Sequence, residues 1–112
     1  MRVWYTRLLF WADGFTVGPD LILINPKFKD DPALLAHEMT HAEQMRRLGW
    51  LRFWWRYATS PDFRQAVEVE AYRVQLRLQP GSLDVFAGYL ADKYRLSLTL
   101  DQARALLQET SA

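Results

Sequence analysis

Residues 37–41 read His-Glu-Met-Thr-His and contain both histidines of the chain. On an α-helix, side chains four residues apart lie one turn above each other, so His37 and His41 share a face. Both imidazoles can then reach one zinc ion at about 2.0 to 2.1 Å. Glu38 is rotated by roughly 100° from His37, which places its carboxylate within reach of a bound water. This HExxH geometry suits peptide hydrolysis, because zinc lowers the pKa of the water towards about 7 and the glutamate accepts its proton.

The residues around the motif favour a metal site over two unrelated core histidines. Leu34, Met45 and Leu48 fall on the same helical stripe as the two histidines, so both rings are expected on an apolar, buried face. Buried separately, each ring would need its own hydrogen-bond partner or would have to stay neutral. A shared cation is the simpler account. Because the chain has no cysteine, nitrogen and oxygen atoms must hold a zinc ion.

A third ligand has to come from another segment, since catalytic zinc sites use three protein ligands and keep one open position. The helix predicted over residues 61–79 carries Glu68 and Glu70 within an otherwise largely apolar stretch. Helical periodicity puts Glu70 on the apolar stripe of Phe63 and Val67, with Glu68 about 160° away. Periodicity alone therefore favours Glu70 as the ligand.

The motif followed by a second helix with a glutamate resembles the gluzincin branch of zinc metallopeptidases. The short chain with the VEVEAY helix is similar to the minimal single-domain members called minigluzincins, over roughly residues 21–79. The resemblance implies one zinc per chain, a zincin-like fold and hydrolysis of a peptide or protein substrate. It makes Glu68 the third ligand, three positions before Ala71, and keeps Glu70 as the alternative. Tyr72 departs from the family pattern, in which an aspartate is common at that position. The task of orienting the ligand histidine is therefore left to Glu70, Tyr72 or Gln44.

Peptide hydrolysis also needs a group that stabilises the transition state near the metal. No histidine is left for this purpose, so the candidates are Tyr72, Arg73 and Tyr57, and Tyr72 is our prediction. The resemblance further implies that the strand before the metal helix, residues 21–24, binds an extended peptide by edge pairing.

The predicted elements form one α+β domain over residues 1–112, with a small antiparallel sheet followed by four or five helices. Apolar residues 3–11 predict a strand, residues 15–17 are expected to pair back on it, and residues 21–24 predict another strand. The first helix is predicted over residues 32–48 and ends at Gly49, and a short second helix is predicted over residues 50–57. Ser60 is expected to cap a helix over residues 61–79, and Ser82 a helix over residues 83–94. A capping box of Thr99 and Gln102 predicts the last helix.

Composition limits the partners. With 14 basic and 13 acidic residues the net charge is +1, so we expect no nucleic-acid partner and no general attraction to anionic lipid. The chain has no membrane-spanning run, its N-terminus is a poor secretory signal, and a cytoplasmic location is expected.

The aromatic segment Trp50–Tyr57 is expected to pack in the core, with any surplus aromatic side chains forming a homodimer surface. The alternative function is a non-catalytic or latent zinc-containing protein-binding module.

Overall fold

The first quarter of the chain forms a three-stranded sheet. The structure, a computed structural model, describes residues 1–108. Strand β1 spans Arg2–Tyr5, β2 spans Gly14–Gly18 and β3 spans Leu21–Ile24. The order in the sheet is β1-β3-β2, so β3 is the central strand.

The predicted antiparallel arrangement is wrong for one of the two strand pairs. β1 runs parallel to β3, and β2 pairs antiparallel with β3 rather than folding back on β1. Connection length explains this, because two residues join β2 to β3 in a tight turn, whereas residues 6–13 leave β1 and cross the end of β3. Both ends of this segment are fixed to that strand end: Thr6 N–H donates to Ile24 O (3.0 Å), and Asn25 N–H donates to Asp13 O (2.8 Å).

Five α-helices follow the sheet, which confirms the predicted α+β class. Two short 3₁₀ turns, at Pro26–Phe28 and Pro80–Ser82, interrupt the connections. The helices are α1 (Pro32–Leu48), α2 (Trp50–Thr59), α3 (Pro61–Leu78), α4 (Leu83–Lys93) and α5 (Leu100–Gln108). None of these helices is both long enough and apolar enough to cross a membrane.

Local signals in the sequence set most of the helix ends. The side chains of Asp31 and Ser60 each accept a hydrogen bond from the backbone N–H three residues on, and a proline occupies the first helical position after both. Thr99 and Gln102 form the predicted capping box. The predicted Ser82 cap is wrong: Ser82 lies in a 3₁₀ turn and its hydroxyl accepts from the Gln79 side chain instead.

Gly49 separates the two helices that meet at the sheet. Its φ of 97° is disfavoured for residues with a Cβ, and its N–H donates to Met45 O at 2.8 Å. α1 can therefore stop and α2 begin one residue later.

Helices α1 and α3 form the centre of the molecule. At its first turns α1 packs on the sheet through Leu34, Ile22 and Ile24. At its end, Met45 packs with Phe53 of α2 and Val67 of α3. The opposite side of α3 packs on α4 and α5 in a third cluster of Val69, Tyr72, Phe86, Ala87, Leu90, Ala103 and Leu107. Between the Met45–Val67 contact and the cluster on α4 and α5, buried polar side chains of α1 and α3 face each other.

Candidate metal centre

Two helices bring together the three side chains predicted as metal ligands. His37 and His41 come from α1 and Glu68 comes from α3, and all three are buried. The Nε2 atoms of His37 and His41 lie 3.3 and 3.2 Å from the same atom, Glu68 Oε1. The ring centroids of the histidines are 4.9 Å apart. The potential ligand atoms all lie within 4.8 Å of one another, so these residues are close enough to bind a metal ion.

Two glutamine side chains orient the histidine rings from behind. Gln44 Oε1 lies 2.8 Å from His41 Nδ1, and Gln75 Oε1 lies 2.9 Å from His37 Nδ1. The orientation of the Gln44 amide is fixed, because its nitrogen donates to Val67 O at 3.1 Å and to Glu70 Oε1 at 2.6 Å. An amide oxygen accepts hydrogen bonds, so each Nδ1 carries a proton and donates it. Each neutral imidazole then presents the lone pair of Nε2 to Glu68.

The resulting arrangement fits a zinc ion. Two nitrogen lone pairs and a carboxylate oxygen face one another, and either a proton on an imidazole or a cation between them removes the repulsion. In a tetrahedral site with bonds of about 2.0 to 2.1 Å, ligand atoms are about 3.3 to 3.4 Å apart. The two nitrogen-to-oxygen distances of 3.3 and 3.2 Å are close to that value. The atom types and the two nitrogen-to-oxygen distances are therefore compatible with a metal ion held by two histidines and one glutamate.

Without a metal, the same contacts shift the proton affinities of these groups. Burial opposes charge on His41, but the negative charge and hydrogen bond of Glu68 outweigh it and raise the pKa of His41 to about 9. Burial likewise opposes charge on Glu68, but the positive charge of His41 and hydrogen bonds from both histidines lower the pKa of Glu68 well below its usual range. The metal-free site therefore holds an ion pair of His41 and Glu68.

The second oxygen of Glu68 is held by α2. Tyr57 donates its hydroxyl proton to Glu68 Oε2 at 2.6 Å. Burial and the charge of Glu68 raise the pKa of Tyr57 well above its usual range, so the phenol stays protonated as the donor. Because Oε2 is engaged in this way, only Oε1 points at the histidines. Tyr57 therefore orients Glu68 as a ligand through one oxygen.

Glu70 does not reach the histidines. Its side chain is exposed and accepts from Gln44 and from Arg47, whose Nη2 lies 3.3 Å from Glu70 Oε1. The preference of helical periodicity for Glu70 is thus not followed by the structure. α3 is buried on two sides, and Glu68 lies among buried polar residues on the side that faces α1. A stripe of apolar residues cannot predict a buried polar contact of this kind.

Glu38 is held next to the site by β2. Thr16 Oγ1 lies 2.9 Å from the backbone oxygen of Glu38 and 3.0 Å from its Oε1, so the hydroxyl proton is shared between them. A Cβ on Gly14 would stand 3.1 Å from Glu38 Cγ and 3.2 Å from Ile24 Cδ1. Gly14 therefore leaves the space that the buried glutamate side chain occupies.

A cavity of about 330 Å³ joins these groups. Its wall contains the three clustered residues and Glu38, together with Thr16 and a rim of aromatic side chains. Tyr72 lies in this wall, with its ring 4.4 Å from that of His37, and its hydroxyl is 2.7 Å from the hydroxyl of Tyr94. Arg73, the other helix candidate for transition-state stabilisation, donates instead to Leu106 O. Tyr72 is accordingly the better placed of the two.

The predicted peptide-binding strand is wrong. β3 has a strand partner on both sides, so it offers no free edge to an extended peptide. Within residues 1–108, β2 pairs with β3 only, and Gly14, Phe15 and Thr16 of β2 form part of the cavity wall. β2 rather than β3 is the edge strand beside the cavity, because the tight turn between β2 and β3 places β2 at the outside of the sheet, next to α1.

Sequence analysis named Gln44 as a candidate for orienting a ligand histidine, and Gln44 contacts His41. It did not single out Gln75, Thr16 or Gly14, and it considered Tyr57 for transition-state stabilisation. One signal was available for the glutamines: Gln44 follows His41 by three residues and therefore lies next to it on α1. No comparable signal exists for Thr16 or Gly14, because their contacts with Glu38 depend on how the sheet packs on α1.

One family model matches part of the chain. It is described as the eCIS core domain and covers residues 9–49, or 41 of 112 residues. The matched segment includes β2, β3 and α1 with His37, Glu38 and His41, and it ends before Glu68. No curated protein and no solved structure matches the chain. The similarity thus covers the motif helix and the two strands beside it, but not the third clustered side chain.

Proposed function

We propose that this protein is a small zinc-dependent metallopeptidase. One observation carries the proposal: the Nε2 atoms of two histidines lie 3.3 and 3.2 Å from one carboxylate oxygen, in a cavity whose wall also contains Glu38. His37, His41 and Glu68 would hold the ion. When bound, zinc would supply Lewis-acid chemistry that activates water and polarises a carbonyl group.

The chain's own groups would then handle the proton and the substrate. Glu38 accepts a proton from the attacking water and later gives it to the leaving amine. Thr16 and Gly14 keep the Glu38 carboxylate in place for both steps. Tyr72, in the wall beside His37, donates a hydrogen bond to the oxygen that gains charge as the carbonyl is attacked. Burial raises its pKa well above the usual range, so this phenol stays protonated.

β2 is the element best suited to hold a peptide. Its outer side has no strand partner among the described residues, and its first residues lie in the cavity wall. An extended substrate added along β2 would be bound mainly through backbone hydrogen bonds, which read little sequence. The expected substrate is therefore a peptide or an unfolded segment of a protein.

Metal analysis tests the ligand set. Purified protein should contain about one zinc ion per chain, as a site with three protein ligands and an open position requires. His41→Gln and Glu68→Gln should each lose most of the zinc. Glu70→Gln, two residues away on the same helix, is the matched control and should retain it. Loss of zinc in the Glu70 variant alone would assign the third ligand to Glu70 instead.

A peptide-library assay with and without a chelator tests the reaction. Glu38→Gln should keep the zinc and lower hydrolysis at least about a hundredfold, because a general base contributes about 10² to 10⁴ in rate. Glu43→Gln, exposed on the same helix, should leave both properties unchanged. Proteolysis that survives Glu38→Gln would remove the mechanism.

The second candidate is a non-catalytic or latent zinc-containing protein-binding module. The contacts that join α1 and α3 at the cluster favour it, because Gln44, Tyr57 and Gln75 would hold the ligands of a purely structural ion equally well. In this case zinc would stabilise the contact between α1 and α3 without turnover. Bound zinc together with no cleavage of any library peptide would favour the module over the peptidase.

A further inference from the structure

Two surface segments carry large apolar side chains that no other part of the described chain covers. In the segment between β1 and β2, Leu8 is 80% and Phe10 is 86% exposed. On α2, Leu51 is 72% and Trp55 is 71% exposed. Exposed apolar patches of this kind mark interaction sites.

A series of ring contacts connects the two segments. Ring centroids are 5.3 Å apart for Phe10 and Trp11, 6.3 Å for Trp11 and Phe15, and 5.4 Å for Phe15 and Trp54. On α2, Leu51 and Trp55 lie within about 100° of Trp54 around the helix axis, on its solvent side. The two exposed segments therefore border one surface, here called the aromatic face and made of Leu8, Phe10, Trp11, Leu51 and Trp55.

The charge around the aromatic face is mainly positive. Residues 1–13 and 50–59 contain four arginines, Arg2, Arg7, Arg52 and Arg56, and one acidic residue, Asp13, whereas the other 89 residues carry 10 basic and 12 acidic ones. Within residues 1–108, none of these four arginines forms an ion pair with a carboxylate. The near-neutral total thus hides a local positive region that is complementary to a negative surface.

We propose that the aromatic face docks the protein on an anionic lipid surface. Leu8 and Phe10 would insert at the headgroup boundary, while Arg7, Arg52 and Arg56 contact the lipid phosphates. A second copy fits less well, because a self-complementary contact would bring the arginines of both copies together. A lipid surface fits better than an acidic protein, because the exposed apolar side chains lie beside arginines whose stems can extend along them, a pattern typical of segments at a headgroup boundary. This inference does not depend on the proposed peptidase activity.

Vesicle sedimentation tests the proposal with the whole chain. The protein should bind vesicles that contain phosphatidylserine, should bind vesicles of phosphatidylcholine much more weakly, and should be released by added salt. A Leu8→Ser/Phe10→Ser variant should bind at least about tenfold more weakly, since two apolar side chains are lost from the bilayer. Arg52→Gln/Arg56→Gln should lose the preference for anionic lipid. Arg77→Gln/Leu78→Ser, an exposed pair at the end of α3, is the control and should bind normally.

Tryptophan quenching by vesicles with brominated acyl chains provides a readout that needs no substitution. Quenching is expected because Trp11 and Trp55 belong to the aromatic face. Absence of quenching together with absence of sedimentation overturns the proposal, as does an equal loss of binding in the control pair. Binding to soluble polyglutamate but not to vesicles would assign the face to an acidic protein. A dimer that Leu8→Ser/Phe10→Ser dissociates, without vesicle binding, would assign it to a second copy.

Discussion

Gly14 shows how a residue without a side chain can control a reactive one. Gly14 has no Cβ, and the Glu38 side chain packs against the space that a Cβ would need. The position of the proposed general base therefore depends on a glycine at this place in β2. Thr16, two residues on, holds the same side chain by its hydroxyl group. The catalytic part of the site is therefore set by the strand as much as by the HExxH motif.

Replacing Gly14 by alanine should separate catalysis from metal binding. The added Cβ would force Glu38 to shift by a few tenths of an ångström, and because a shift of about 1 Å can cost about a hundredfold in rate, a smaller loss is expected. We expect Gly14→Ala to lower kcat by up to about tenfold while zinc content stays normal. Gly88→Ala on α4 is the control, because a Cβ there meets no atom within 4 Å. Unchanged kcat in the Gly14 variant would show that the rate does not depend on the contact between Gly14 and Glu38.

The shifted pKa of His41 predicts how the metal-free protein responds to pH. The folded state raises this pKa from 6.5 to about 9, so charged His41 stabilises the fold fully below pH 6.5, and this contribution is lost as pH rises through about 9. The melting temperature measured in the presence of a chelator should therefore fall over that window.

His41→Gln should show a smaller decrease over the same window, because the titrating group is gone. Glu68 responds to pH in the opposite way. Its pKa is lowered in the folded state, so the ionised carboxylate stabilises the fold above about pH 4.5, and this stabilisation is lost on acidification. A wild-type melting temperature that is flat between pH 6.5 and 9 would contradict the ion pair.

At the scale of elements, Gln44 links the two central helices. It accepts from His41 on its own helix and donates to Val67 O and Glu70 on α3. One side chain thus sets the ring orientation of a proposed ligand relative to the helix that carries Glu68. Residues that orient metal-binding histidines in this way typically contribute 10- to 100-fold to metal affinity.

Gln44→Leu should accordingly lower zinc affinity by about 10- to 100-fold, measured by competition with a chromogenic chelator. Gln75→Leu should act similarly through His37. Gln79→Leu, at the exposed end of α3, provides the comparison and should bind zinc normally. Equal affinity in all three variants would show that the glutamines only fill space.

The helices could be predicted from the sequence because their signals are local. Asp31-Pro32 and Ser60-Pro61 satisfy the first backbone N–H groups of α1 and α3 within three residues, independently of the rest of the fold. Strand pairing is not local, so the sequence did not reveal that β1 lies parallel to β3. Glu68 followed from the family resemblance and not from periodicity, because polar side chains form the buried contact between α1 and α3.

At the scale of the whole molecule, zinc should couple to stability. A ligand that binds only the folded state stabilises it by about 2.7 kcal/mol at a concentration one hundred times its Kd. For a domain of about this size, each kcal/mol raises Tm by roughly 4 to 8 °C, so the expected increase is roughly 10 °C or more. Calorimetry with zinc and with a chelator measures this difference, and Glu68→Gln should abolish it.

The location of the clustered side chains has a consequence for synthesis of the protein. His41 and Glu68 are 27 residues apart, and the whole of α2 lies between them. A ribosome that has made the first sixty residues has added both histidines to the chain but not the acid that completes the cluster. Capture of the metal by all three groups must therefore wait until α3 emerges and docks, which makes the nascent chain's first half a poor competitor for cellular zinc.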